Sequence, residues 1–182
     1  MKLSDGEKLI LWMLSEIYDH LGIKSEIDPK FVRRAIHTGN AWGVKLEHSG
    51  IFMDEHSGAD VQETADIMQM WSAIEASYKR LAAGEKARVE RETGLISDHI
   101  TFDGFDGNEE SSHMDVAQFF VEQLDNFQEF KDRPLNSHRK TLDEYRPMLC
   151  AFHDCRNSVG ARGLLSAEHL IQILNASRNT NE

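Results

Sequence analysis

Apolar residues recur at helical intervals along most of this chain, and no stretch alternates apolar with polar residues as a half-exposed strand would. Ser4 and Glu7 stand at capping-box spacing, and Leu9, Ile10, Met13, Leu14, Ile17 and Leu21 follow in three- and four-residue steps until Gly22. This predicts a first helix with an apolar stripe. Asp28-Pro29, a cap followed by a first-turn proline, opens a short second helix carrying Phe31, Val32, Ala35 and Ile36 as far as Gly39. Glycines at 43, 50 and 58 break the pattern of residues 40–58, which reads equally as helix or loop.

The clearest element is a long helix over about residues 60–82. Asp60 and Glu63 give it an acidic start, and Val61, Ala65, Ile67, Met68, Met70, Trp71, Ile74, Tyr78 and Leu81 cover more than one face. Such a wide apolar arc belongs at the centre of a bundle, contacted from two sides, with Trp71 as an anchor. Residues 85–92 are charged and helix-prone, and the glycine-containing run 101–108 predicts a loop. Beyond it Val116, Phe120, Leu124 and Phe127 form one stripe, with Phe119 and Val121 alongside. A further helix is predicted from about His138 to Cys155, with Leu142, Tyr145, Leu149 and Phe152 on its apolar face and Pro147 imposing a kink or a new start. Ser166 caps a last helix, with Leu165 and Leu170 at staple spacing and Ile173 and Leu174 facing inward. The expected fold is an all-α bundle of about six to eight helices, a single domain over residues 1–176 followed by a polar tail, 177–182.

Length and composition agree with this: 182 residues with 40% apolar content suffice for one buried core. Charges interrupt every apolar run well short of the roughly 20 residues that a membrane span needs. The order of charged and apolar residues at the N-terminus is wrong for a secretory signal, so a cytoplasmic location is expected. Cys150 and Cys155, five apart on one predicted helix, are poorly placed for a disulfide.

Twenty basic residues against 31 acidic ones give a net charge of -11, which argues against a phosphate-coating, nucleic-acid-binding surface. Ten of the acids lie in one segment (Asp98, Asp103, Asp106, Glu109, Glu110, Asp115, Glu122, Asp125, Glu129 and Asp132) with Lys131 as the only base, so that segment carries -9. Glu109, Glu110 and Asp115 lie near the predicted start of the helix that follows, where the dipole favours negative charge. From Arg133 onward basic residues outnumber acids. Two opposed patches can therefore meet, within a chain or between chains.

Five segments together resemble the YfbU family of bacterial proteins: LSDGEKLIL near the start, DVQETADIMQMWSAIEASY on the central helix, ITFDGFDGNEE, YRPMLCAFHDC, and LSAEHLIQILNA. They span Leu3 to Ala176. The central-helix segment and Phe102 to Asp106 are the most specific; residues 40–58 and 156–163, and Pro147 within a helix, depart from the family pattern. The resemblance implies an all-α fold in the bacterial cytoplasm and brings no catalytic residue with it.

The residues offering chemistry are few. Arg146, Cys150 and His153 share one helical face by their spacing of four and three. An arginine followed closely by a histidine is the pattern of the all-α, metal-independent HEPN-type ribonucleases, in which histidine handles protons and arginine steadies phosphate charge. Arg133 and His138 fit the same loose pattern. The plainer reading of His153 is a partly buried boundary residue. His153-Asp154 also suggests a helical metal phosphohydrolase, but no later aspartate completes the site. Cys150, His153 and Cys155 lack a fourth zinc ligand, and His48, Asp54 and His56 fall in a segment of unassigned structure. Asp103, Asp106 and Asn108 fail as a calcium loop because Phe105 occupies a ligand position. No phosphate cradle or serine elbow is present.

The sequence therefore points to a non-enzymatic helical bundle that works through protein contacts and self-associates as a homo-oligomer. Glu122, Asp125 and Glu129 are its candidate contact residues, and no cofactor or metal is expected. The alternatives are a ribonuclease using Arg146 and His153, and an acidic nucleic-acid mimic, which requires its carboxylates along one exposed face.

Overall fold

The structure, a computed structural model, describes residues 3–51, 56–159 and 164–177. Among them are eight α-helices and no named strand. The contacts divide the chain into two units, one within residues 1–55 and one within 56–182.

The first unit contains α1 (Asp5–His20), α2 (Pro29–His37) and α3 (Trp42–Glu47), followed by a 3-10 turn, Ser49–Ile51. The predicted local signals operate: Ser4 and Glu7 form a reciprocal capping box, Asp28 accepts from the Lys30 N–H, and Gly22 and Gly39 adopt positive φ after the first two helices. What the pattern leaves open is which side of α1 is covered. Helix α2 docks beside Leu11, Ser15 and Tyr18, and Arg33 donates to the Ser15 carbonyl and to Asp19, both at 2.8 Å. Most of the apolar stripe faces outward instead, with Ile10 and Leu14 at its edge lining shallow grooves beside Val32. Its members Leu9, Ile10, Met13, Leu14, Ile17 and Leu21 are all between 52% and 65% exposed. Among the described residues of this unit the buried apolar ones are Val32, Ala35 and Val44.

The second unit is built around α4 (Gly58–Arg80), with α5 (Ala83–Thr93), α6 (Ser111–Glu122), α7 (Leu142–Val159) and α8 (Ala167–Ala176). Helix α4 packs against α6, α7 and α8, as its wide apolar arc requires, and Ile67, Met68, Met70, Trp71, Ile74 and Tyr78 are buried. Leu165 and Leu170 are buried beside the Ser166 cap, and the Leu165 N–H reaches the Ser77 hydroxyl of α4 at 3.0 Å.

Two of the predicted helices end elsewhere. Helix α6 stops at Glu122 because Asp125 and Phe127 take positive φ. The carbonyls of Phe119, Phe120 and Val121 are then capped by Leu124 N–H, Asn126 N–H and the Gln128 side chain. Phe127 still folds back onto Phe120, but Leu124 is left half exposed rather than in the predicted stripe. Helix α7 begins at Leu142, not near His138, which takes positive φ, and it continues through Pro147 as one element instead of restarting there. The proline ring removes only one donor close to the helix start.

The loop between α5 and α6 supplies the centre of the core rather than its edge. Phe102 and Phe105 are buried among Trp71, Phe130 and Tyr145, with Phe102 ring centroids 5.0 Å from Phe130 and 5.9 Å from Tyr145. Phe105 forms a short parallel bridge by donating to Leu135 and accepting from Ser137, both at 3.0 Å. Gly104 permits this approach: its φ is +87°, and a Cβ there would lie 2.1 Å from the Leu135 carbonyl oxygen.

The loop is held from the other side by Glu110. Its buried carboxylate accepts from the backbone N–H groups of Asp106, Thr141 and Leu142 and from the Thr141 hydroxyl, at 2.8–3.0 Å. Burial raises the carboxyl pKa, but these four donors outweigh it and hold Glu110 below the ordinary carboxylate value. Replacing Gly104 with alanine is expected to cost about 3 kcal/mol or more, from positive φ and the backbone clash together. Glu110→Gln is expected to cost about 2–3 kcal/mol, because one amide cannot accept four hydrogen bonds. Urea unfolding checks both, and a loss below about 1 kcal/mol in either variant contradicts this account of the loop.

Candidate functional site

The ion pairs of the second unit explain where many of its charges go. Arg133 grips Glu75 with two guanidinium nitrogens at 2.8 and 2.9 Å, and the same carboxylate accepts from the Phe102 N–H. Arg139 bridges Asp103 at 3.0 Å and Glu144 at 2.7 Å, and Lys140 pairs with Glu109 at 3.1 Å. The basic stretch after residue 132 thus meets the acidic segment inside the chain. Asp106 is buried and caps the N–H groups of Asn108 and Glu109, while Glu110 turns away from its own helix to the start of α7. With these two inward, the acidic segment has no unbroken exposed face.

Of the three candidate contact residues, Glu122 ends α6, Asp125 lies in the loop after it, and Glu129 lies on the 3-10 turn Gln128–Phe130. All are exposed, but they do not share one helical face, and Glu129 is tied to the Ser72 hydroxyl of α4. Glu122 also lines a cleft with Lys131 and Arg133.

On α7, Arg146, Cys150 and His153 are exposed as their spacing implies, so His153 is not a boundary residue. Arg146 is not at liberty beside it. Its Nε and one terminal nitrogen bind Glu63 of α4 at 2.9 and 3.0 Å. The same Glu63 contacts His113 Nε2 at 2.9 Å, and His113 is buried on α6 against Phe105. His113 is a residue the linear pattern does not single out, since its partner Glu63 lies 50 positions away. The Arg146 hydrogen bonds lead the other influences and, against a partial burial cost, hold the Glu63 carboxyl down to about 2, with His113 adding to the effect. The clefts along Trp71, Phe130 and Phe102 are lined by neither Arg146 nor His153.

The other candidates are dispersed. Arg133 is taken by Glu75, and His138 lies exposed in the loop before α7. Cys150 is exposed and Cys155 buried, with no disulfide joining them; burial pushes the Cys155 thiol up. His48 packs edge-on against Phe31 in the first unit, and His56 meets the Ser112 hydroxyl in the second at 3.0 Å. Asp54 lies outside the described residues. Among the described residues no group of three or more histidine, cysteine or carboxylate side chains is arranged to hold a metal ion. Nor is any helix there long and apolar enough to cross a membrane.

With this geometry in view, comparison with known proteins is informative about ancestry. A family model described as the YfbU domain matches residues 1–176. The chain belongs to the YfbU family. A similar protein is UPF0304 protein MJECS11 of Methanocaldococcus jannaschii, 26% identical over 132 residues, which cover 70% of this chain and 73% of that one. The matched residues include the outward stripe of α1 in the first unit and the ion pairs of the second.

Because Glu63 titrates lower folded than unfolded, the Arg146–Glu63–His113 cluster contributes its full stability above the ordinary value of 4.5 and loses it as pH falls toward about 2. Glu63→Gln is expected to lower stability by about 1–2 kcal/mol at neutral pH and to flatten the acid limb of a stability-against-pH curve. An acid limb as steep in the variant as in the wild type would show that Glu63 is not the titrating group.

Proposed function

We propose that this protein is a non-enzymatic interaction module that self-associates, with the outward face of α1 as its contact surface. One observation carries the reading: five large apolar side chains of α1 and Leu21 at its C-cap are each more than half exposed, while few apolar residues are buried among the described residues of that unit. A unit of this size is marginal even with a full core, and oligomerisation is a common remedy for small ones. The same unit exposes Trp42, Leu46 and Ile51. Contiguous apolar surface of this kind marks contact sites, and burying the remaining half of six such side chains is worth on the order of 5 kcal/mol.

A second copy of the chain is the occupant that the reading favours, because an apolar stripe along a helix can pack on itself about a two-fold axis. The acidic segment and the basic stretch after it then have a smaller part, since Asp103, Glu109, Arg139 and Lys140 already pair within the chain. A ribonuclease using Arg146 and His153 has less in its favour, with that arginine engaged by Glu63. The module is expected to work in the cytoplasm without nucleic acid, cofactor or metal.

Sedimentation equilibrium tests the reading. The wild type is expected to associate in the micromolar range. A variant carrying Ile10→Glu and Ile17→Glu is expected to sediment as a monomer with unchanged helical circular dichroism. A wild type that stays monomeric at every concentration overturns the proposal, as does a variant that associates as well as the wild type.

A further inference from the structure

A cleft of about 340 Å³ opens beside the aromatic core of the second unit, within the size range of small-molecule sites. Its floor includes Trp71 and Tyr145, which are only 5% and 2% exposed and meet edge to face with ring centroids 5.6 Å apart. The Trp71 indole nitrogen and the Tyr145 hydroxyl are buried with no hydrogen-bond partner among the described residues. The Asp103 backbone N–H faces the phenol oxygen but does not stand at hydrogen-bonding geometry. Leaving such a group unpaired is costly, and two on touching rings beside one cleft call for a common explanation.

We propose that this cleft binds a small neutral molecule with a planar apolar body and a carbonyl or amide oxygen, which accepts hydrogen bonds from the Trp71 indole and the Tyr145 hydroxyl. The indole nitrogen can only donate, so the ligand atom that meets it must accept. The rim selects against an anion: Asp103 and Glu144 stand there against Arg139, which already bridges them. Leu95, Met148 and Leu174 give the otherwise polar lining an apolar side, which with the aromatic floor suits a flat ligand body. Both polar atoms are closed to solvent, so the ligand reaches them by displacing a neighbour. Met148, unbranched and in the lining, is the buried side chain best able to change rotamer and open that path.

The test uses the full-length protein labelled with ¹⁵N, read at the indole N–H signals. The chain has three tryptophans, and Trp12→Phe and Trp42→Phe assign the Trp71 signal without touching the core. Benzamide is expected to shift that signal saturably, more strongly than benzoate, while toluene, which has no acceptor, is expected not to move it downfield. Tyr145→Phe is expected to weaken benzamide binding about tenfold, the loss of one hydrogen bond, with a melting temperature equal to or above the wild type. Three results would each overturn the proposal. The first is no saturable shift with benzamide, as when ordered water alone meets the two groups. The second is an equal downfield shift with toluene. The third is a lower melting temperature in Tyr145→Phe, which would mean that the hydroxyl is already partnered in the free protein.

Discussion

The Glu110 carboxylate is the point on which the second unit turns. It takes the N–H groups at the start of α7, the Thr141 hydroxyl, and the Asp106 N–H of the preceding loop. A buried charge is tolerated only where hydrogen bonds replace the lost water, and here four donors from two distant segments do so. The consequence is geometric. The 101–106 loop cannot drift from the start of α7, the Thr141 hydroxyl shares its one proton between Glu110 and the Gly104 carbonyl, and Phe102 and Phe105 are held between α4 and α7. Without a side chain at Gly104 the loop passes close enough to Leu135 for backbone hydrogen bonds. The core of this unit is therefore closed by a loop, with polar contacts setting the position of its apolar residues.

The charge distribution follows the same logic. An excess of acids in one segment reads in isolation as a surface for another molecule. In the folded chain Asp103, Glu109 and Glu110 serve Arg139, Lys140 and the start of α7, and Asp106 caps its own turn. Exposed pairs of this kind contribute little each. Glu63 and Glu75 are different, because each is partly buried and satisfies several donors at once. They tie α4 to α7 and to the segment containing Arg133, while Arg146, the best phosphate-binding candidate of the linear pattern, becomes part of the scaffold.

The two units use their apolar residues differently. In the second, most predicted inward positions are filled, Phe119 and Leu124 being left exposed, and two donors lie unpartnered beside a cleft. In the first, the residual feature is apolar, a stripe of aliphatic side chains on α1 that its own helices leave uncovered. Unsatisfied donors favour a small acceptor-bearing ligand, and an uncovered aliphatic stripe favours another apolar surface. Each follows from the general cost of leaving such groups as they are.

Much of this protein was determined locally. Cap residues, glycines and the 3.6-residue period sufficed to place α1, α2, α4 and α8, to make α4 the central helix, and to identify the chain as all-α. Each of those signals acts within a turn or two of the helix. The tertiary structure alone decided which side of α1 is covered, where α6 ends, and that the 101–106 loop enters the core. It also decided that Arg146 meets Glu63 and buried His113 rather than His153. Apart from the end of α6, these outcomes depend on partners 14 to 83 positions away, and periodicity records only that a face is apolar or charged, not what lies against it.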